Sequence, residues 1–215
     1  MTGHVKVGGA WKDLAGASVK IGGVWKTVEK GFTKVGGAWK EWYSASNPAM
    51  DLIQTTVLSS PTSSVTFSGL GAYAADYKHL QIRMSTGNVY VTTLETQLRF
   101  NGDSNNNYSY HKMVSYGDGS VYSGAYNNQN KIVVNAMPNT TSQLAIAVVD
   151  ILDFSNTSKN TTLRTFYGQQ FNSNREVNLG SGAWYNTAAV TSVTLLNTGY
   201  SFVTGSRFSI YGIRG

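Results

Sequence analysis

Short runs of alternating apolar and polar residues recur along the chain from residue 52 onward. In residues 80–84, Leu-Gln-Ile-Arg-Met, the three apolar side chains fall on one face of an extended strand, and residues 190–196 follow nearly the same pattern. No long segment with the 3.6-residue period of a helix competes with these runs. The pattern predicts nine strands, at residues 52–58, 64–68, 79–85, 96–101, 132–135, 143–153, 163–171, 190–197 and 207–212.

The composition favours the same architecture. Charged residues make up only 13% of the 215 residues, well below the usual proportion of roughly 25%. The chain has 23 glycines, 13 tyrosines and only 3 prolines, a composition typical of short strands joined by many turns. We therefore expect an all-β protein in which residues 49–215 form a β-sandwich head domain of jelly-roll type.

A short motif is repeated three times ahead of this region. Val5-Lys-Val-Gly-Gly-Ala-Trp-Lys12 recurs as Val19-Lys-Ile-Gly-Gly-Val-Trp-Lys26 and as Thr33-Lys-Val-Gly-Gly-Ala-Trp-Lys40, each time 14 residues later. A fixed motif at a fixed period indicates one small structural unit that is used repeatedly. We assign residues 1–43 to this repeated unit and residues 44–48, which are small, polar and ended by proline, to a linker.

Each Gly-Gly pair predicts the turn of a β-hairpin, because glycine adopts the positive φ angles that a two-residue type I′ turn requires. With Gly8 and Gly9 as the turn, Lys6 pairs with Trp11, and the same register applies to the other two copies. The paired lysine and tryptophan then share one face, where the ammonium can cover the indole ring. The sequence thus predicts an N-terminal unit of three β-hairpins.

These hairpins are predicted to need a partner. One hairpin is not stable alone in water, and three of them make only a small unit. Four of the five tryptophans nevertheless lie in residues 1–43, and that much aromatic surface favours contact with another surface. Self-association of several chains is the favoured interpretation, and packing against the chain's own second domain is the alternative. The predicted oligomerisation and docking residues are Val7, Trp11, Ile21, Trp25, Val35, Trp39 and Trp42.

Charge and cysteine content narrow the classes of function. Residues 1–43 carry seven lysines and three acidic residues, and so hold +4 of the overall charge of +6. Because each lysine has a fixed place in a repeat, we interpret the lysines as solubilising and do not expect nucleic-acid binding. The chain has no cysteine, which excludes disulfides and thiolate metal sites. We see no signal peptide or membrane span and expect no membrane insertion.

Two segments, residues 101–110 and 115–130, are rich in Asn, Ser, Gly and Tyr and are predicted to be loops. Tyrosine offers rigid contact area and asparagine offers hydrogen bonds, so this composition suits recognition of a protein or a sugar. Ordinary polar turns on a β-scaffold are the equally weighted alternative. The candidate ligand-binding residues are Tyr108, Tyr110, Tyr116, Tyr122, Tyr126, Asn127, Asn128, Trp184 and Tyr185.

Metal binding is not expected. The sequence Asp103-Ser-Asn-Asn-Asn107 matches the opening of a calcium loop, but the glycine and the closing glutamate are missing, so an ordinary turn is favoured. His4, His79 and His111 are isolated and lack metal-ligand spacing. Among these, His79 is predicted to be structural, whereas His111 is placed near the candidate site.

Catalysis is not expected either. Glycoside hydrolysis requires a pair of carboxylates. Asp150 and Asp153 are neighbours at a strand end, and Glu95 and Glu176 each stand alone in the sequence. No phosphate-binding glycine loop or nucleophile elbow occurs. We predict a non-enzymatic protein without a cofactor.

Three stretches resemble tailed-bacteriophage virion structural proteins. The VKVGGAWK repeat resembles short repeats at the head of many phage tail-fibre proteins. The C-terminal stretch from Trp184 to Ile213, with Thr-Ser-Val-Thr-Leu followed by Gly-Ser-Arg-Phe-Ser-Ile-Tyr-Gly-Ile, resembles the ending of such proteins. Residues 98–108, with Arg-Phe-Asn-Gly-Asp and a later Asn-Tyr, are similar to an internal segment of theirs. The resemblance implies a non-enzymatic and commonly trimeric virion protein, assembled in the host cytoplasm.

Three functions follow as expectations. The first is a short tail fibre, whose repeats bind other virion proteins or form a homotrimer and whose β-sandwich contacts a host-surface glycan or protein. The second is a capsid decoration or tail adaptor protein without a receptor role. The third is a carbohydrate-active enzyme that uses a carboxylate such as Asp150 or Glu176.

Overall fold

The computed structural model describes residues 4–7, 9–13, 17–44, 49–89, 94–138, 143–171 and 174–215. These residues are almost entirely β-structure, as the sequence predicted. They divide into two compact units, Met1–Pro48 and Ala49–Gly215. We call them the hairpin unit and the head unit.

The hairpin unit contains three separate two-stranded antiparallel sheets. Their strands are β1 (His4–Val7) with β2 (Ala10–Asp13), β3 (Ser18–Ile21) with β4 (Val24–Thr27), and β5 (Lys30–Val35) with β6 (Ala38–Ser44). Lysine pairs with tryptophan in every copy: Lys6 with Trp11, Lys20 with Trp25 and Lys34 with Trp39. The predicted hairpin register is therefore confirmed in all three repeats.

The turns of the second and third hairpins have the predicted conformation. Gly22 and Gly23 adopt φ angles of 59° and 84°, and Gly36 and Gly37 adopt 60° and 83°. Two consecutive positive φ angles define a type I′ turn, which matches the right-handed twist of the flanking strands. A residue with a Cβ would be strained at each of these positions. The Gly-Gly pair therefore fixes the register of each hairpin locally, without help from distant residues.

The head unit contains twelve strands and one short 3-10 helix, Leu70–Tyr73, among its described residues. The strands are β7 (Met50–Val57), β8 (Ser64–Ser68), β9 (His79–Thr86), β10 (Leu94–Phe100), β11 (Tyr108–Tyr116), β12 (Val121–Gln129), β13 (Ile132–Met137), β14 (Ala145–Leu152), β15 (Thr161–Phe171), β16 (Asn174–Trp184), β17 (Ser192–Leu196) and β18 (Arg207–Ile213). All nine strands predicted from the alternation are present, with ends that differ by a few residues.

Eight of these strands form a jelly roll. One sheet contains the run β7-β18-β9-β14, and the four-stranded sheet has the order β8-β17-β10-β13, with every neighbouring pair antiparallel. Among these eight strands the chain changes sheet between β7 and β8, β8 and β9, β9 and β10, β13 and β14, β14 and β17, and β17 and β18. This interlocking of two four-stranded sheets is the double Greek key of a jelly roll. The jelly-roll prediction is confirmed.

Four further strands extend the larger sheet to eight, in the order β12-β11-β16-β15-β14-β9-β18-β7. The hairpin β11–β12 is inserted between β10 and β13, and the pair β15–β16 is inserted between β14 and β17. The two insertions join through pairing of β11 with β16. The prediction that residues 101–110 and 115–130 are loops is therefore wrong where these segments overlap β11 and β12, and β16 was not predicted at all.

The missed strands lack a clear hydrophobic alternation because few of their inward positions are aliphatic. Along β16 the side facing the other sheet carries Glu176, Asn178, Gly180 and Gly182 before Trp184. Glycine at position 182 is required by close packing, since a Cβ there would lie 2.9 Å from two side-chain atoms of Ile132. Pairing with β11 and β15 along its whole length defines this strand, whereas burial of its own apolar side chains does not.

The core lies between the two sheets. Leu80, Ile82 and Met84 point into it, as their alternation predicts, whereas Gln81 and Arg83 lie on the opposite face of β9. Burial of each aliphatic side chain of this size contributes about 1.5–3 kcal/mol to folding. The core therefore supplies the main stabilisation of the head unit.

The C-terminal strand packs closely against an aromatic ring at Gly212. A Cβ at Gly212 of β18 would overlap the ring of Tyr77. The Tyr77 hydroxyl donates to Asp51 Oδ2 at 2.9 Å, and Arg214 donates to the same oxygen at 2.9 Å while its guanidinium lies 4.8 Å from the centre of the Tyr77 ring. The Tyr-Gly-Ile stretch in the C-terminal motif thus has a structural role.

Candidate functional site

The predicted docking residues of the hairpin unit are exposed wherever their side chains are described. Trp25 and Trp39 expose 69% and 70% of their surface, and Ile21 and Val35 expose about half of theirs. The side chains of Val7, Trp11 and Trp42 lie outside what the structure describes. An apolar surface of this kind on a small unit is typical of a contact surface.

Each described tryptophan in this unit lies beside its paired lysine. Lys20 Nζ is 5.9 Å from the centre of the Trp25 ring, and Lys34 Nζ is 6.0 Å from that of Trp39. These distances are within the range of a cation–π contact, which contributes about 0.5–1 kcal/mol at an exposed site. The predicted lysine–tryptophan contact is confirmed in the second and third hairpins.

Three of the nine candidate ligand-binding residues, Tyr108, Tyr110 and Trp184, are buried in the head-unit core. Tyr108 is fully buried and Trp184 is 1% exposed, and their rings stack with centroids 6.3 Å apart. Burial raises the pKa of Tyr108 to about 12, and its hydroxyl donates to the backbone oxygen of Asp103 at 3.0 Å. Both side chains therefore stabilise the fold and are not accessible to a ligand in solvent.

A second aromatic cluster on β11 and β12 contains Tyr110, Tyr122 and Tyr126. The rings of Tyr110 and Tyr126 stack with centroids 4.6 Å apart, and the Tyr126 hydroxyl is 3.3 Å from that of Tyr122. Lys112 Nζ lies 5.7 Å from the centre of the Tyr126 ring. Burial raises the pKa of Tyr110. This cluster supports Lys112, which lines the cleft described below.

The remaining candidates are exposed or partly exposed, but they do not share one surface. Tyr116 ends β11 and is 41% exposed. Asn127 and Asn128 lie near the end of β12, an edge strand of the eight-stranded sheet. The Tyr185 hydroxyl is 2.8 Å from Ser109 Oγ, which lies on the outer side of β11. Among the nine predicted residues, only Tyr116 lines the cleft.

A polar cleft of about 400 Å³ lies between the two sheets of the head unit. The four-stranded sheet contributes residues from β10 and β13, and the larger sheet contributes residues from β11, β15 and β16. Its polar lining includes Glu95, Gln97, Lys112, Tyr116, Glu176 and Asn197. We call it the inter-sheet cleft.

One ion pair joins the two sheets across this cleft. Lys112 Nζ, on β11, lies 3.1 Å from Glu95 Oε1, on β10. Burial lowers the pKa of the Lys112 ammonium, but Glu95 outweighs it and leaves that pKa above its usual value. Lys112 is therefore charged in the folded protein and links β11 to β10 through Glu95.

Glu176 is the second carboxylate of the cleft. Burial raises its pKa and the negative charge of Glu95 raises it further, whereas Lys112 and a hydrogen bond from Gln169 lower it, and the net shift is upward. Glu176 Oε1 is buried without a hydrogen-bond partner. The sequence-based view that Glu95 and Glu176 stand alone is therefore wrong, because both line one cleft and influence each other.

Several buried polar atoms around the cleft also lack a hydrogen-bond partner. Asn197, which lines the cleft and is 3% exposed, has a free Nδ2. Both side-chain polar atoms of Asn178, on the same strand as Glu176, are also unpartnered. An unpaired buried polar group costs about 1–3 kcal/mol, so these atoms favour a water molecule or a ligand that supplies the missing hydrogen bond.

Asp103 lies at the centre of a turn. This agrees with the sequence, which favoured an ordinary turn over a calcium loop. Its Oδ1 accepts hydrogen bonds from the backbone N–H and side-chain amide of Asn105, at 2.9 and 2.8 Å. Its Oδ2 accepts from Asn107 Nδ2 and Trp184 Nε1, both at 2.8 Å. Burial favours the protonated form, but these hydrogen bonds outweigh it and lower the pKa of Asp103.

The other candidate groups for chemistry serve structure or lie apart from the cleft. His79 Nδ1 accepts a hydrogen bond from the backbone N–H of Asp153 at 2.9 Å, in line with its predicted structural role. Asp150 accepts from Gln81 and Arg164 on the outer face of the sheet. His111 is exposed on the outer face of β11, away from the cleft. Within the described ranges, no group of three or more His, Asp or Glu side chains is arranged to hold a metal ion.

The outer face of the eight-stranded sheet carries an apolar surface instead. Ile146, Phe166, Val177 and Leu179 lie there on neighbouring strands and are all more than half exposed. Phe166 and Tyr167 are consecutive, so they point to opposite faces of β15. The outer face of this sheet is thus apolar around Phe166, whereas the cleft on its other side is lined largely by polar groups.

Comparison with known proteins finds no counterpart: no protein-family model, curated protein or solved structure matches the chain. Among the described residues, no helix has the length and apolar character needed to cross a membrane.

Sequence reasoning missed Glu95, Lys112 and Glu176 as members of one site. The three residues are far apart along the chain, and the topology brings them together by pairing β11 with β16 and placing β10 opposite. One signal was available: in a chain with only 13% charged residues, each of these charges lies within a strand. A charge inside a strand requires a partner or a function.

Proposed function

We propose that the protein is a structural component of a bacteriophage virion, a short tail fibre that attaches the particle to its host. In this proposal the hairpin unit self-associates as a trimer and binds other virion proteins, and the head unit contacts the host surface. The observation that carries the proposal is the contrast between the two units: the described apolar side chains of the hairpin unit are mostly exposed, whereas the head unit buries a core between two sheets and has a polar cleft.

The hairpin unit supports the attachment role. Trp25, Trp39, Ile21 and Val35 are exposed on small hairpins that each bury little surface of their own. Two-stranded hairpins gain stability when a further apolar surface covers them. Equivalent hairpins from several chains would cover one another, which favours a symmetric assembly.

The proposal is tested by locating the protein on the particle that carries it. Gold-labelled antibody against the full chain should mark the tail tip in electron micrographs, and the same antibody should block adsorption of particles to host cells. Label on the capsid surface would support a decoration protein instead. Label at the tail without any effect on adsorption would support an adaptor.

An enzymatic role has one observation in its favour. Glu95 and Glu176 line the same cleft, and burial raises the pKa of Glu176, as expected for a general acid in glycoside hydrolysis. This candidate predicts release of reducing ends from host polysaccharide by the wild-type protein, and loss of that activity in Glu176→Gln. If polysaccharide is bound intact, the enzymatic candidate is excluded.

A further inference from the structure

We propose that the inter-sheet cleft binds an uncharged saccharide unit of a surface glycan, with Glu95, Lys112, Glu176 and Asn197 as its hydrogen-bonding residues. This inference rests on the proposed role in host attachment and adds the class of ligand and the place where it binds. It does not follow from the sequence, which placed the candidate contacts on loops.

The cleft has a suitable size. Its volume of about 400 Å³ is within the range of roughly 300–1,000 Å³ that is typical of small-molecule sites. It is open to solvent on one side and closed by strands of both sheets, so a terminal or branching sugar of a longer chain can enter while the rest stays outside.

Its lining offers the mixture of donors and acceptors that sugar hydroxyls require. Lys112 presents an ammonium donor, and Glu95 presents a half-exposed carboxylate acceptor beside it. Asn197 contributes an amide N–H that has no partner within the protein, and Glu176 contributes an equally unpartnered oxygen. Each sugar hydroxyl both donates and accepts, so one hydroxyl can satisfy two of these groups at once.

Two aromatic residues provide apolar contact area in the same cleft. Tyr116 lies at its mouth and is 41% exposed, whereas Tyr167 is buried in its wall. The carbon-bearing face of a pyranose ring packs on aromatic rings of this kind, and its hydroxyl edge faces polar groups. An accessible tyrosine beside a polar wall therefore fits a sugar better than it fits a wholly apolar ligand.

The charges in the cleft select against anionic ligands. Lys112 is already paired with Glu95 at 3.1 Å, so its positive charge is compensated, and Glu176 adds a second acidic group. Burial and the charge of Glu95 raise the pKa of Glu176, which makes its neutral, hydrogen-donating form more accessible. A uronate or sialate would bring its own negative charge next to two carboxyl groups, which is unfavourable.

The test measures binding of the full-length protein to a panel of sugars. The panel contains glucose, galactose, mannose, N-acetylglucosamine, N-acetylgalactosamine and rhamnose as neutral members, with glucuronic acid and sialic acid as anionic ones. Saturation-transfer NMR and calorimetry should detect at least one neutral sugar and show glucuronic and sialic acid to bind at least tenfold more weakly.

Three variants place the site. Lys112→Met removes the ammonium donor but keeps the apolar stem of the side chain. Glu176→Gln replaces the carboxylate with an amide of nearly the same shape. Thr198→Trp places a bulky ring in the lining of the cleft and so narrows it. Each should weaken binding at least tenfold. Asp118→Asn, a substitution of an exposed carboxylate in the turn after β11, is the matched control and should bind as the wild type does. Melting temperatures of all variants show whether each is folded.

The outcomes separate this inference from the proposed function. If no panel sugar binds, if the anionic sugars bind best, or if the three folded variants bind like the control, the inference is overturned. Particles that carry Lys112→Met yet adsorb normally would locate host contact elsewhere and leave the attachment role intact. Particles that adsorb equally well without the protein would overturn the attachment role itself.

Discussion

The two units of this chain use tryptophan in opposite ways. In the hairpin unit, Trp25 and Trp39 are about 70% exposed and lie beside a lysine. In the head unit, Trp184 is 1% exposed, stacks near Phe100 and Tyr108, and donates its indole hydrogen to Asp103. The same side chain is thus a surface group in one unit and a structural centre in the other.

This difference reflects how the sequence determines the structure of each unit. In the second and third hairpins a Gly-Gly turn fixes the pairing through local backbone conformation, and the described side chains of the strands on either side are almost all exposed. The head unit depends on pairing between strands that are far apart along the chain and on a common core. Substitutions should therefore act locally in the hairpin unit and globally in the head unit.

The largest effect is expected at Gly212. Gly212→Ala places a methyl group into the ring of Tyr77, and relief requires movement of the ring together with its bonds to Asp51 and Arg214. We expect a loss of about 3 kcal/mol or more, which lowers Tm by roughly 6–12 °C in a domain of this size. Differential scanning calorimetry of the wild type and the variant measures this fall in Tm.

Gly71→Ala is the control for this substitution. A Cβ at Gly71 would meet only Thr191 Cγ2 at an ordinary contact distance of 3.5 Å. Its Tm should change by no more than roughly 2 °C. Equal losses at both glycines would contradict the packing described around Tyr77.

The next largest effect is expected at Asp103. Asp103→Ala leaves the buried Trp184 indole without its acceptor and removes the bonds to Asn105 and Asn107, at a cost of about 2 kcal/mol. Because the folded-state pKa of Asp103 is lowered, its contribution is fully present above the unfolded pKa and is lost as pH falls through the folded one. The Tm difference between wild type and variant should therefore shrink at low pH. A difference that is constant from pH 7 to pH 2 would contradict this account.

A gain is expected at Glu176. Its folded-state pKa is raised, so the group costs no stability below its unfolded pKa and becomes destabilising as pH rises through the folded pKa. Glu176→Gln should therefore raise Tm by roughly 2–4 °C at pH 7, the shift that about 1 kcal/mol produces in a domain of this size. Near pH 3 the two proteins should melt together. A lower Tm of the variant at pH 7 would mean that the carboxylate stabilises the fold.

The smallest global effect is expected in the hairpin unit. Gly22→Val and Gly23→Val place β-branched residues at φ angles of 59° and 84°, which they rarely adopt. NMR should show loss of the cross-strand contacts between Lys20 and Trp25, while the Tm of the head unit stays within roughly 1 °C. A large fall in that Tm would mean that the two units fold together.

The sequence predicts those parts of the molecule in which local pattern and structure agree. Gly8-Gly9 and its two repeats predict hairpins in the observed register, and the alternation around Leu80 and Val193 predicts the strands that bury aliphatic side chains. The jelly roll follows from the number and spacing of these strands. The hairpins and the individual strands are confirmed because each depends on residues close together in the chain.

The inserted strands and the cleft could not be predicted in this way. Residues 108–129 are rich in Tyr, Asn, Ser and Gly, which are typical of loops, and they become strands only because β11 pairs with β16. Glu95 and Glu176 meet for the same reason. The proximity of these groups is a property of the topology, which no single segment specifies.

The central claim is that the exposed indoles of the hairpin unit hold an assembly whose head units remain independent folds. The most direct test is the mass in solution, by light scattering, of the full-length protein and of its Trp25→Ser/Trp39→Ser variant. We predict a homotrimer for the wild type and dissociation toward monomer for the variant, with the head-unit Tm unchanged. A monomeric wild type, or a variant that keeps the wild-type mass, would contradict the claim.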